Sequence, residues 1–368
     1  MAVIMVAGNK VNFPKGLFKS FRVLTANIVM EMSYAGEVQL GALIATGVVL
    51  LIFILIVNVL LGLATGKRGK PGDGKKFKIP FLEKFNRLIR IETVGKVFSY
   101  ICAGVAAVGL ISIIGFITVK GVPHLSGQLL FGEYKIAEKI SIFPSIAATF
   151  ITVGISLIIA VPIGVATAIF LNEYTKKGSK LVRVIRSAID VLSGIPSIVY
   201  GLFGMVTFVV WFGTTKSILA GSFTISLMLL PVVVRSEESL RSVDDSLREG
   251  SFALGAGKVR TIFKIVLPSA LPGIMSAVIL SMGRVVSESA PFMYTMGSTL
   301  SPMPHGVSDS GTTLAVALYK LSQEGFYVNE AYATAFVLLV IVLLLNTLAS
   351  VLSTKLEKTL KGSKNEKK

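Results

Sequence analysis

The chain has 368 residues, 53% hydrophobic and only 15% charged, with a mean hydropathy of +0.76. Soluble domains carry closer to about a quarter charged residues, so the composition excludes an ordinary soluble domain and points to an all-α polytopic membrane protein. The net charge of +17 sits beside apolar runs and reads as the Lys/Arg excess of cytoplasmic loops rather than as a nucleic-acid footprint. One cysteine, Cys102, excludes a disulfide framework within the chain. His124 and His305 are too few and too far apart to suggest a metal centre, so no metal, cofactor or catalytic group is expected.

No cleavable leader is read ahead of the first strong apolar run, which begins near residue 40. A helix needs about 20 apolar residues to cross about 30 Å of hydrocarbon. Segments near 40–64, 97–119, 146–171, 187–212, 217–235, 270–295 and 331–354 qualify, and the short "FGTTKS" makes the fourth and fifth a tight hairpin. Residues 66–96 hold ten Lys/Arg and three acids, 172–186 five and one, and the tail 355–368 six and two, against one Lys and three acids in 297–330. The basic loops and the C-terminus are therefore expected in the cytoplasm. Seven spans then put the N-terminus outside, against which Lys10, Lys15, Lys19 and Arg22 argue.

The first run returns near the end of the chain. "ATGVVLLIFILIVNVL" (45–60) and "ATAFVLLVIVLLLNTL" (333–348) share eight residues at a constant offset of 288, including Asn58 and Asn346. Thr25 and Pro14 meet Thr313 and Pro302 at the same offset. Either two Leu/Val-rich helices agree by chance, or residues 1–65 are the tail of a second, related unit. The Gly/Lys-rich "GKRGKPGDGKK" is a flexible boundary. The expected organisation is 1–65 as an N-terminal unit with one span, 66–95 as a basic linker, 96–356 as a transmembrane domain and 357–368 as a basic tail. The stretch "RLIRIETVGKVFSY" reads equally as a surface-lying amphipathic segment touching membrane lipid or as a plain linker.

Ionisable groups inside spans are costly, about 2.5–3.5 kcal/mol on insertion scales, and mark function by default. Arg284 and Glu288 are four apart, with Ser287 and Ser289 beside Glu288. They read as a structural ion pair or as a site on a translocation path, where a guanidinium fork matches oxyanion geometry. Arg235, followed by Glu237 and Glu238, ends the fifth span and reads as a snorkelling arginine or as a path residue. Asp190 precedes "GIPS", in which Gly194 and Pro196 kink the helix or open its backbone and the Ser197 hydroxyl toward a path.

Between the last apolar segments lies the polar island "EGSFALGAGKVRTIFKIVLPSALPGI" (249–274). Its "GAGKVRT" is not a nucleotide loop, because Lys258 is followed by Val259 and Phe252 stands where the first glycine is required. A small-faced helix broken by Gly255 and closed by Pro268 is expected instead. The spacing Glu249, Gly250, Ser251, Gly255, Ile265, Leu267 and Pro268 resembles the cytoplasmic E-A-A-x3-G-x9-I-x-L-P loop of ABC-importer permeases, with Gly250 and Ser251 for the two alanines.

"DVLSGIPSIVYGLFG", "LPVVVRSEESLRSVDDSLREGSFALGAGK", "GRVVSESAPFMYTMG" and "FITVKGVPHLSG" are similar to the PstA-type permeases of phosphate-specific ABC importers, over about residues 80–356. The N-terminal stretch resembles the end of the partner PstC-type permease, which implies a fused two-permease frame, truncated at its start on one reading. The resemblance implies a type I ABC-importer permease with six core spans plus one N-terminal span in the cytoplasmic membrane. It also implies an ATP-binding subunit dimer on the loop, a second permease subunit and an extracytoplasmic phosphate-binding protein. Other oxyanions (sulfate, molybdate, tungstate), an intramembrane enzyme and a signalling scaffold are the rival expectations. The enzyme would need a catalytic pair that the spans lack.

Overall fold

The computed structural model describes residues 22–32, 37–65, 91–134, 140–176, 179–325 and 327–365. The expected linker and the N-terminal lysines lie largely outside them. The described residues form helices α1 (Leu24–Met32), α2 (Glu37–Thr65), α3 (Ile91–Gly121), α4 (Gly127–Phe131), α5 (Phe143–Ile169), α6 (Lys180–Gly194) and α7 (Ser197–Gly204). They continue with α8 (Ile218–Val234), α9 (Glu237–Arg241), α10 (Asp245–Ala253), α11 (Lys258–Thr261), α12 (Leu267–Ser287), α13 (Ala290–Thr295), α14 (Leu314–Glu324) and α15 (Val328–Asn365). π-helical turns extend α5 (Phe170–Tyr174) and α7 (Met205–Trp211) and join α11 to α12 (Ile262–Val266).

Among the described residues, five stretches are long and apolar enough to cross a membrane: Lys96–His124, Phe143–Tyr174, Ile218–Arg241, Lys258–Ser287 and Val328–Lys355. A sixth is the pair Lys180–Gly194 and Ser197–Trp211, bent by 98°. Together they match the six expected core spans, and α2 supplies the apolar helix Gly41–Val57 ahead of them. The order of short helix then long helix occurs both in α1–α2 and in α14–α15.

The centre of the bundle is α8, buried on nearly every side. It packs on α5 through small polar residues. Ser156 Oγ donates to the Ser222 carbonyl at 3.4 Å, and Ser226 Oγ donates to the Ser156 carbonyl at 3.3 Å. A Cβ on Gly164 would lie 2.6 Å from Val233. Lipid tails are as apolar as leucine, so membrane helices associate by such close approach and interhelical hydrogen bonding rather than by expelling water. By contrast α3 touches α15 along one edge, where Phe116 meets Tyr332 edge-on with ring centroids at 5.8 Å, and otherwise leaves Ile101, Val105 and Ile111 exposed.

Three expectations are corrected. The fourth span is not one helix over 187–212. Pro196 biases Ile195 to extended backbone (φ −69°, ψ 130°) and α6 stops at Gly194; the Leu192 carbonyl, which Pro196 has no N–H to meet, accepts the Ile195 N–H at 3.2 Å and the Tyr200 hydroxyl at 2.8 Å. Pro268 does not close the loop either. It sits at the start of α12 inside one continuous helix from Lys258 to Ser287, where the π-helical turn just before it lets the backbone accommodate a residue without an N–H. The sixth span in turn ends at Ser287 rather than near 295. Pro291 has no N–H for the Ser287 carbonyl, so Glu288 is extended (φ −79°, ψ 138°) and a new helix, α13, begins at Ala290.

Candidate functional site

Both helix breaks fall at one place. The half-helices α7 and α13 that follow them pack together so tightly that a Cβ on Gly201 would lie 2.9 Å from Pro291 Cα and 2.9 Å from the Tyr294 ring. This brings Ser197, the first residue of α7, to face the Glu288 carboxyl, although the two are 91 positions apart. Arg284 Nε stands 3.9 Å from Glu288 Oε1, and the two side chains are 34% and 19% exposed. At that distance the pair attracts without a hydrogen bond, so the guanidinium fork is not used up by its neighbour. The result is a half-open cluster of a fixed cation, a carboxylate and a hydroxyl inside the span region.

The other expected path residues separate from it. Ser287 turns back on its own helix, donating to the Gly283 carbonyl at 2.8 Å. Arg235 caps α8 and donates to Ser193 Oγ at 3.1 Å. Glu238 is exposed on α9. Its neighbour Glu237 is the buried one, and Arg186 Nε donates to it at 3.2 Å, tying α6 to α9. Asp190 is exposed on α6. Among the described residues there is no group of three or more His, Cys, Asp or Glu able to hold a metal ion.

The loop of 249–268 is a helix, a turn and the start of a second helix. Asp244 caps α10, accepting the Ser246 N–H at 2.9 Å, and that bond holds its carboxyl below the usual range. Gly255 breaks the chain at φ +78°, the left-handed region that suits glycine. Ser251 is buried and shares a 2.8 Å hydrogen bond with Thr261 across the turn, closing α10 onto α11. Glu249 and Gly250 face outward, and a Cβ at Gly250 would meet nothing within 4 Å. Leu254 is 90% exposed, with Phe252, Val259 and Phe263 also exposed around it. Ile265, Leu267 and Pro268 are half-buried along the helix that enters the bundle. Arg248 of α10, whose side chain is 12% exposed, carries no sequence signal beyond its position before Glu249.

The model of the family "Binding-protein-dependent transport system inner membrane component" matches residues 160–362. The chain is 33% identical over 277 residues to the probable ABC transporter permease protein YqgI of Bacillus subtilis, covering 71% of this chain and 94% of that one. It is 42% identical over 157 residues to the phosphate transport system permease protein PstA 1 of Mycobacterium tuberculosis H37Rv, 42% of this chain and about half the length of that relative (50%). Among solved structures, a bacterial alginate ABC transporter in complex with an alginate-bound periplasmic protein matches at TM-score 0.51 and 15% identity, over 75% of this chain and 96% of that one. At that identity the likeness shows a shared fold.

Proposed function

Because this chain belongs to the family of binding-protein-dependent transport system inner membrane components, we propose that it is the permease subunit of an ATP-driven importer that carries inorganic phosphate across the cytoplasmic membrane. One observation carries the reading. A single helix, Lys258–Ser287, begins in the exposed loop and ends at the Arg284–Glu288 cluster. A push on the loop is thereby delivered to the groups that would hold an anion. Relatives named as phosphate transport permeases support the choice of anion.

In this reading an ATPase dimer grips Glu249, Gly250 and the apolar rim of Phe252 and Leu254. Gly250 is small because the partner, not this chain, needs the space. Arg284 offers its planar fork to phosphate oxygens, Glu288 holds the guanidinium and accepts the proton of a hydrogenphosphate, and the Ser197 hydroxyl supplies a further hydrogen bond. The broken half-helix α7 presents its N-terminal end to the same point, where an anion is favoured. Closing of the ATPases rocks the chain against a second permease subunit of the PstC type, and an extracytoplasmic binding protein delivers phosphate. The C-terminus lies in the cytoplasm. Residues 1–65 are a PstC-like unit, which accounts for the α1–α2 and α14–α15 likeness.

Uptake of radiolabelled phosphate at low external concentration tests this in cells without the chain and with it restored, with sulfate or molybdate as competitor. Restored uptake that neither competitor reduces is expected. Phosphate uptake that never depends on the chain would reassign the substrate to another oxyanion.

A further inference from the structure

Resting on the reading that the 249–268 loop docks an ATPase, we propose that Arg248 is a positioning residue: its ion pair with Glu173 is the strut that makes the docking helix α10 move as one body with α5.

A guanidinium has five N–H donors in a rigid fork, and Arg248 uses all five. Nε donates to Glu173 Oε1 at 3.2 Å, and Nη2 donates to the same oxygen at 2.9 Å and to the Leu240 carbonyl at 2.8 Å. Nη1 donates to the Val243 carbonyl at 2.6 Å and to Asp245 Oδ1 at 3.1 Å. The side chains of Arg248 and Glu173 are 12% and 9% exposed. One side chain thus joins the end of α9, the link to α10, α10 itself and the π-helical turn that ends α5. Asn172 Nδ2 donates to Glu173 Oε1 at 2.7 Å and fixes the acceptor. Lys258, at the far side of the Gly255 turn, sits 4.8 Å over the ring of the adjacent Tyr174, so both arms of the loop bear on the same turn of α5.

The placement gives the contact a mechanical meaning. The loop already reaches α12 through an unbroken helix. It has no such direct path to the end of α5, where Glu173 lies 75 residues before Arg248 and the helix is interlocked with the central helix α8. Force from α10 reaches α5 only through non-covalent contacts, and this buried, fully satisfied ion pair is one made directly between the docking helix and the end of α5. Lysine cannot replace it, because a point charge with three donors cannot hold one carboxylate and two carbonyls in a plane.

The test uses the complex purified through a tag on this chain and reconstituted with its binding protein, with phosphate uptake and ATP hydrolysis measured in the same vesicles. Arg248→Lys and Glu173→Gln should retain their ATPase subunits and hydrolyse ATP, while phosphate carried per ATP falls about tenfold, an ordinary size for a coupling between sites. Glu173→Asp should recover most of the ratio. Asn172→Ala, which leaves both ions in place, should lower it about twofold and keeps the test available where the other variants do not fold. A purely structural role would lower uptake and hydrolysis together. An unchanged ratio in every variant that folds, or loss of the ATPase from Arg248→Lys and Glu173→Gln, overturns the proposal. A native chain that retains no ATPase fails earlier and refutes the docking reading itself.

Discussion

The helix Lys258–Ser287 has two ends that are built on different principles. At the loop end, order comes from polar contacts near in sequence: the Asp244 cap, the Gly255 turn and the Ser251–Thr261 bond. Apolar side chains there point into water. At the other end, order comes from close backbone approach between segments about 90 residues apart, and charged groups stand where water is scarce. A surface that exposes leucine and phenylalanine awaits a partner, whereas charge held inside a bundle by small residues awaits a ligand or an ion path. The same substitution should therefore have opposite consequences at the two ends.

The largest effect is expected at the charged cluster. Arg284→Ala or Glu288→Gln should lower phosphate uptake about thirtyfold or more, the ~2 kcal/mol typical of losing one desolvated charged contact. Immunoblots should show normal amounts of chain in the membrane. Equal uptake by variant and native chain would reduce the cluster to a structural ion pair.

Next comes a matched pair of glycines. Gly201→Val would force α7 away from Pro291 and Tyr294 and cost about 1–3 kcal/mol by overpacking. Thermal unfolding of the purified chain in detergent should show a lower midpoint. Gly250→Val meets nothing in this chain, so the midpoint should hold while recovery of the ATPase with the chain falls. A lowered midpoint for both would erase the contrast between the two ends.

The legible part of this molecule follows the same division. The loop was readable because its chemistry is local: Glu249, Gly255 and Ile265–Pro268 keep fixed spacings, and a left-handed turn asks for glycine. The six core spans were readable because about 20 apolar residues admit few other fates. The break at Gly194–Pro196 was legible as a kink, though not as a 98° bend, and the break after Ser287 was not legible. Pro196 and Pro291 were visible, but a proline in a membrane helix either kinks or ends it, and the choice depends on who satisfies the freed carbonyls. Here the Ile195 N–H and the Tyr200 hydroxyl do so for Leu192. Pro268 failed in the opposite direction, since a π-helical turn kept the helix going. Which of several intramembrane charges belong together was also hidden. Arg235, Glu238 and Ser287 were as plausible as Ser197, and only the crossing of α7 with α13 selects Ser197 and Glu288.

Smaller effects sharpen the loop end. Gly255→Ala places a Cβ at φ +78° and should cost about 1–2 kcal/mol locally, seen as faster hydrogen exchange over α10 with α12 unchanged. Smallest is a pH effect at Asp244. Its carboxyl is held below the usual range by the Ser246 N–H, so the cap is fully present above the unfolded-state value and fades as pH falls through the lower folded-state one. Protection of the first α10 amides, each referred to its intrinsic exchange rate at the same pH, should fall on acidification to that point. Asp244→Asn, which still caps, should remove the pH dependence.

The central claim is that one chain joins an ATPase-driven loop to a phosphate path at Arg284. It is tested most directly by accumulation of radiolabelled phosphate in proteoliposomes holding the complex purified through this chain, with ATP on the loop side, native against Arg284→Ala. The account predicts ATP-dependent accumulation by the native complex and its loss in the variant, with the ATPase subunits retained in both. Equal accumulation by the two, or ATP hydrolysis by the native complex with no phosphate moved, would contradict it.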